Sequence, residues 1–146
     1  MPERSSRYLL DNNVFIAAVK RGWTKSTELI LYLLDSPAEL IANELLILEY
    51  ERYAGALGTY ELLDYLEKSV VQVSPSQKEI DACAAFFPES ELSDMVHADT
   101  CLYADAILIS NDHHFDKIKE AGIIEVWSSS KAIRRLLHGI EDFEDS

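Results

Sequence analysis

Short apolar runs alternate along this chain with longer stretches whose apolar positions recur every three or four residues. Arg7–Leu10, Glu39–Ala42, the β-branched Val70–Val73, Ala106–Ile109 and Ile123–Trp127 read as strands. Between and after them, Asn12–Lys20, Thr24–Leu34, Thr59–Glu67, Ser76–Phe87, Ser93–Ala104, Phe115–Ala121 and Ser129–Leu137 read as helices. A further helix runs from Asn43, its N-cap, to about Leu57, with Gly55 and Gly58 near its end. In Thr24–Leu34 the apolar residues at 29, 30, 33 and 34 hold the helical period until Ser36-Pro37 stops it. Ala106–Ile109 is wholly apolar, as expected of a strand covered on both faces. Strands alternating with helices predict an α/β fold, a three-layer α/β/α sandwich around a central parallel sheet of about five strands.

The 146 residues, 48% of them hydrophobic, suit one domain across 1–146. Its core is expected over about 7–137, with the acidic stretch from Glu141 to Ser146 as a solvated tail. No apolar run approaches the roughly 20 residues that cross a bilayer. The opening Met1-Pro2-Glu3-Arg4 lacks a basic-then-apolar leader, so a cytoplasmic protein without membrane contact is expected. Cys83 and Cys101 lie among apolar neighbours in helical patterns, which predicts buried free thiols rather than a redox or metal motif.

Charge narrows the field. Thirteen Lys and Arg stand against 26 Asp and Glu, for a formal net charge of −13. Diffuse phosphate binding needs basic stripes that this composition does not supply. A nucleic-acid substrate would be gripped through a cation and local bases such as Lys20, Arg21 and Lys25, and a basic protein partner would be drawn to the surface.

Four carboxylates carry the chemistry. Asp11 ends the run Tyr8-Leu9-Leu10, and Asp112 follows Ala106-Ile107-Leu108-Ile109. In open parallel sheets ligands bind beyond the carboxyl ends of the strands, although an Asp in that place also serves as the N-cap of the next helix. Glu49 falls on the apolar side of its helix, near Leu45, Leu46 and Tyr53, where an acid needs a cation or an ion-pair partner such as Arg52. Asp94 begins a helix beside Ser93, and periodicity alone does not separate it from Asp99. Carboxylate oxygens suit Mg²⁺ or Mn²⁺. His97, His113 and His114 lack the spacing of a zinc site. With no Gly-rich phosphate loop and no G-x-S-x-G turn, nucleotide-dependent phosphoryl transfer and serine hydrolysis lose support.

The order and spacing of these acids resemble those of the PIN-domain nucleases, the fold of the VapC-type toxin ribonucleases. Leu10-Asp11-Asn12-Asn13-Val14 is similar to the family's opening motif, with Asn12 in place of the usual Thr. Glu49 lies six residues past Asn43, where the family has its Glu. Asp94 stands eighteen residues before Asp112, and Ser110-Asn111-Asp112-His113-His114-Phe115 resembles the family's Thr-x-Asp-x-x-Phe, which selects Asp94 over Asp99. The likeness runs from Tyr8 to about Trp127. It implies that Asp11, Glu49, Asp94 and Asp112 are catalytic and hold Mg²⁺ or Mn²⁺, with Asn13 and Ser110 supporting them. It further implies endonucleolytic RNA cleavage leaving 5′-phosphate ends, a small antitoxin partner and a homodimer. The acidic surface keeps a second expectation in view, a catalytically weak PIN-like scaffold binding RNA or protein. A phosphoryl-accepting receiver or a phosphatase is a third, for which adjacent acids at the first strand and a Lys ending a later one are missing.

Overall fold

The computed structural model describes residues 6–20, 22–57 and 60–140. Five strands form one sheet: β1 (Arg7–Leu10), β2 (Glu39–Ala42), β3 (Val71–Gln72), β4 (Ile107–Ile109) and β5 (Val126–Trp127). Their order is β3-β2-β1-β4-β5 and every pairing is parallel, with Leu10 opposite Ile109 and Tyr8 opposite both Leu40 and Ile107. The chain moves outward from β1 through β2 to β3, then returns to the other side of β1 for β4. The sheet's topological switch point therefore falls between β1 and β4, where ligands bind in open parallel sheets.

The helices are α1 (Asn12–Val19), α2 (Lys25–Asp35), α3 (Glu44–Leu57), α4 (Glu61–Ser69), α5 (Gln77–Cys83), α6 (Leu92–Ala104), α7 (Asp116–Glu120) and α8 (Ser129–Ala132). They flank the sheet in an α/β/α sandwich, as right-handed crossovers on both sides of a switch point require. The central strands are buried towards their carboxyl ends. Leu9, Leu10, Leu108 and Ile109 are each 1% exposed or less, so their runs carry no polar alternation. Val14, Phe15 and Ala18 of α1 and Leu46, Tyr50 and Ala54 of α3 are buried in the same core, and the Phe15 and Tyr50 rings pack with centroids 4.9 Å apart.

Local chemistry sets the boundaries. Thr24 and Thr27 exchange side-chain and backbone hydrogen bonds in a capping box that starts α2, one residue after the expected Thr24. Ser76 and Glu79 do the same for α5. The helix expected over Ser76–Phe87 tightens into a 3₁₀ turn at Ala84–Phe86 ahead of Pro88. The segment expected to open with Phe115 begins as a 3₁₀ turn at His113–Phe115. The last helix, expected over Ser129–Leu137, passes from α8 into a π-helical turn at Ile133–Leu137. Val71 and Gln72 are exposed, and β3 shrinks to these two residues because it lies at the sheet edge. Gly122 takes φ +72° after α7, a left-handed turn that permits the reversal into the last strand. The acidic stretch 141–146, Met1–Arg4, Gly58 and Thr59 lie outside the described residues.

Candidate active site

Parallel pairing brings the carboxyl ends of β1 and β4 side by side, and the Asp11 N–H still donates to the Ile109 carbonyl at 3.0 Å. Asp11 then N-caps α1. Its Oδ1 accepts from Asn12 N–H at 2.8 Å, while Oδ2 accepts from the Ser110 hydroxyl at 2.6 Å. The side chain thus does two things, the capping expected of an Asp after a strand and a bond across the switch point. Ser110 is the hub of this edge: its Oγ also accepts from Asp112 N–H at 3.0 Å and from Asn13 Nδ2 at 3.4 Å. The Tyr50 hydroxyl donates to the Leu10 carbonyl, fastening α3 to the strand immediately before Asp11. Burial pushes the Asp11 carboxyl above its usual range, against the opposing hydrogen bonds from Ser110 and Asn12, and the negative charge of Asp94 adds to the rise.

Asp112 caps the turn His113–Phe115, accepting from His114 N–H at 3.0 Å. The imidazole of the same His114 gathers three acids. Its Nδ1 lies 2.7 Å from Asp94 Oδ2, 3.2 Å from Glu91 Oε1 and 3.3 Å from Asp112 Oδ1. The bond to Asp94 and the surrounding negative charge raise the His114 pKa. A single N–H makes one well-aligned bond, so three carboxylates around one nitrogen mark an edge with more negative charge than its side chains neutralise. Ligand atoms of Glu91, Asp94 and His114 all fall within 4.8 Å of one another. Carboxylate oxygens suit Mg²⁺ or Mn²⁺, and the two acids of this group, with an imidazole nitrogen beside them, offer a divalent cation a set of donors that fits.

Glu49 joins from α3. Its Oε1 accepts from His97 Nε2 at 2.7 Å and its Oε2 from Ser93 Oγ at 2.9 Å, both on α6. Burial alone would raise its pKa, but the hydrogen bonds from His97 and Ser93 outweigh it and hold the carboxyl below its usual range. The hydrogen-bond partners of Glu49 are therefore this pair, while the Arg52 charge also lowers its pKa, with the guanidinium lying over the Tyr53 ring. The apolar stripe on α3 also differs from expectation. Leu46, Tyr50 and Ala54 are buried, while Leu45, Leu48 and Tyr53 are exposed and Glu49 sits at the margin.

Of the four expected acids, Asp94 alone belongs to the group of close ligand atoms with Glu91 and His114 among the described residues, and the others connect to it through intermediaries, Asp11 by way of the Asp112 backbone N–H. Asp11 reaches Asp112 through Ser110, Asp112 reaches Asp94 through His114, and Glu49 is tied to Ser93 beside Asp94. Asp99 turns away towards α5, where it is fully buried and interacts with the Cys83 thiol. Both cysteines are buried and free, as expected. His113 faces solvent beside Asp116. Lys25 pairs with Glu28 at 3.1 Å on the exposed start of α2, and Lys20 ends α1. Arg21 lies outside the described residues. Glu91, Ser93, His97 and Asn43 are the members that sequence reasoning missed. The signal available for Glu91 was its place three residues before Asp94. None of these carboxylates lines the cavity of about 420 Å³ at the opposite, amino-terminal end of β4, which is bounded by Asp105, Ala106, Lys119 and Glu125.

A parallel α/β/α sandwich whose two central strands end in acids at the switch point is the class that fold and edge define. The family model of the PIN domain matches residues 8–121, more than half of the chain, and the chain belongs to the PIN-domain family. Its fold is similar to VapBC2 from Rickettsia felis, solved bound to a DNA fragment from their promoter. That match has a TM-score of 0.59 and 12% identity, over 84% of this chain and 98% of that one. It is also similar to VapBC-1 from nontypeable Haemophilus influenzae, with a TM-score of 0.54 and 16% identity over 86% of this chain and 99% of that one. No curated protein matches the chain.

Proposed function

We propose that this PIN-domain protein is a Mg²⁺- or Mn²⁺-dependent endoribonuclease, the toxin of a toxin–antitoxin pair. The observation that supports the reading is the chain of short contacts that joins acids from separate segments near the switch-point edge, with the imidazoles of His114 and His97 among them. Isolated carboxylates this close repel one another, and a cation reverses that. A bound divalent ion supplies an acidified water and positive charge against the scissile phosphate. In this reading Asp11 and Asp112 hold the ion, Glu49 and Asp94 hold it directly or through its waters, and one of the latter pair orients the attacking water. Ser110 and Asn13 fix Asp11 and the Asp112 backbone so that the ligands need no rearrangement.

The antitoxin partner is supported by the two similar structures, both of which are VapBC assemblies, and by the net charge of −13, which favours a basic ligand. Exposed Leu45, Leu48 and Tyr53 on α3 support a homodimer. Among the described residues no helix is long and apolar enough to cross a membrane, and residence in the cytoplasm belongs to the same proposal.

Cleavage of RNA in Mg²⁺ or Mn²⁺ tests the reading, with loss expected on chelation and in Asp11→Asn. Full activity of Asp11→Asn discards the site. The excess of negative charge favours a second reading, a scaffold that binds RNA or protein without turnover, which binding without cleavage at high protein concentration would select.

A further inference from the structure

His97 is 1% exposed and carries hydrogen bonds at both ring nitrogens, yet the proposed reaction gives it no role. The direction of each bond in its network follows from the first. Leu46 N–H donates to Asn43 Oδ1 at 2.7 Å as the N-cap bond of α3, which identifies that atom as the carbonyl oxygen. The Asn43 amide nitrogen therefore donates twice, to Thr100 Oγ1 at 3.0 Å and to His97 Nδ1 at 3.1 Å. His97 Nδ1 is an acceptor, so Nε2 carries the hydrogen that is donated to Glu49 Oε1 at 2.7 Å. Thr100 passes its own hydrogen to the Val96 carbonyl at 2.7 Å, and Ser93 supplies the second donor to Glu49 at 2.9 Å.

We propose that His97 is a positioning residue for Glu49, transmitting the fixed geometry of the α3 N-cap to the carboxylate before any cation arrives. This rests on the metal-dependent reading of the site. Glu is a flexible side chain, and ordering it at the moment of binding weakens affinity. Here both carboxylate oxygens are already held, one by a fully buried ring whose other nitrogen is anchored to a helix cap. Each oxygen retains a lone pair for a cation or its water. A half-buried acid at the rim of the fold has no need of so deep a partner for stability alone, because its side chain is still 17% exposed and within reach of water.

The test is a double-mutant cycle on the full chain, read by calorimetric Mn²⁺ binding and by RNA cleavage, with circular dichroism reporting the fold. His97→Ala is expected to weaken Mn²⁺ binding about 10–100-fold and to lower kcat in step, with the RNA KM nearly unchanged. In a Glu49→Ala background the same substitution is expected to change Mn²⁺ affinity by no more than about two-fold, because nothing remains to position. If His97→Ala does not fold, His97→Gln enters the same cycle. Unaltered Mn²⁺ affinity in the folded His97 variant, or an equal loss with and without Glu49, overturns the inference. Should Asp11→Asn also bind Mn²⁺ and cleave RNA like the unaltered protein, the metal-dependent reading itself fails. Loss in Asp11→Asn alongside an additive cycle removes the role of His97 alone.

Discussion

Replacing one hydroxyl should loosen the whole switch-point edge. Ser110 is 4% exposed and joins Asp11 Oδ2 at 2.6 Å, Asp112 N–H at 3.0 Å and Asn13 Nδ2 at 3.4 Å. Ser110→Ala removes a charge-assisted bond to a carboxylate that is itself only 6% exposed, a loss of about 1.5–3 kcal/mol. It also strips the Asp112 N–H of its acceptor, for which an unsatisfied buried group costs about 1–3 kcal/mol. Asp112 is half-buried, so water recovers part of the second term. Together these give a destabilisation of about 2–4 kcal/mol, read as a lower urea midpoint in metal-free protein. Cleavage should fall about 10–100-fold, as for other groups that orient metal ligands. Because Ser110 opposes the burial that raises the Asp11 pKa, its loss should move the acid limb of the rate profile to higher pH. Ser110→Thr keeps the hydroxyl and should retain most of both properties. A Ser110→Ala protein within about 0.5 kcal/mol of the parent, cleaving at the parental rate, refutes the reasoning.

Two further predictions concern protons. Burial pushes the Asp99 carboxyl up to about 6 from an ordinary 3.8, so the folded state holds more protons than the unfolded one between those values and stability falls as pH rises across that window. A gap of this size corresponds to about 3 kcal/mol, and Asp99→Asn should flatten urea midpoints measured between pH 4 and pH 7; an unchanged profile contradicts the assignment. The His114 pKa is raised by Asp94 and its neighbours, so its contribution to the metal-free protein is full below the ordinary value of 6.5 and is lost as pH climbs through the raised one. Thermal melts across that range should show the decline in the parent, and its absence in His114→Asn; the same slope in both would contradict it.

The apolar runs revealed the central strands because burial on both faces leaves no polar alternation in Leu9-Leu10 or Leu108-Ile109. Their neighbouring positions put Asp11 and Asp112 at one edge, so these acids were legible from strand ends alone. Glu49 was legible as an anomaly, an acid at the margin of an apolar stripe, but its partners were not. His97 lies 48 positions away and Ser93 44, and periodicity carries no information about contacts between elements. Arg52 was the local candidate, and the fold chose a distant one. Leu45, Leu48 and Tyr53 misdirected the helical projection because an apolar residue on a helix need not face the core of its own chain. Glu91 sits in the 3₁₀ turn Glu89–Glu91, before the helical register of α6 begins, so a projection starting at Ser93 left it out. His114 could be placed beside Asp112, but only the packing of α6 against the turn after β4 brings it to Asp94.

The most direct measurement is anomalous scattering from crystals of the chain soaked in Mn²⁺. A manganese peak is expected at the carboxyl edge between β1 and β4, bounded by Asp11, Glu49, Asp94 and Asp112. Crystals saturated with Mn²⁺ that show no peak there, from protein that still cleaves RNA, would contradict the account.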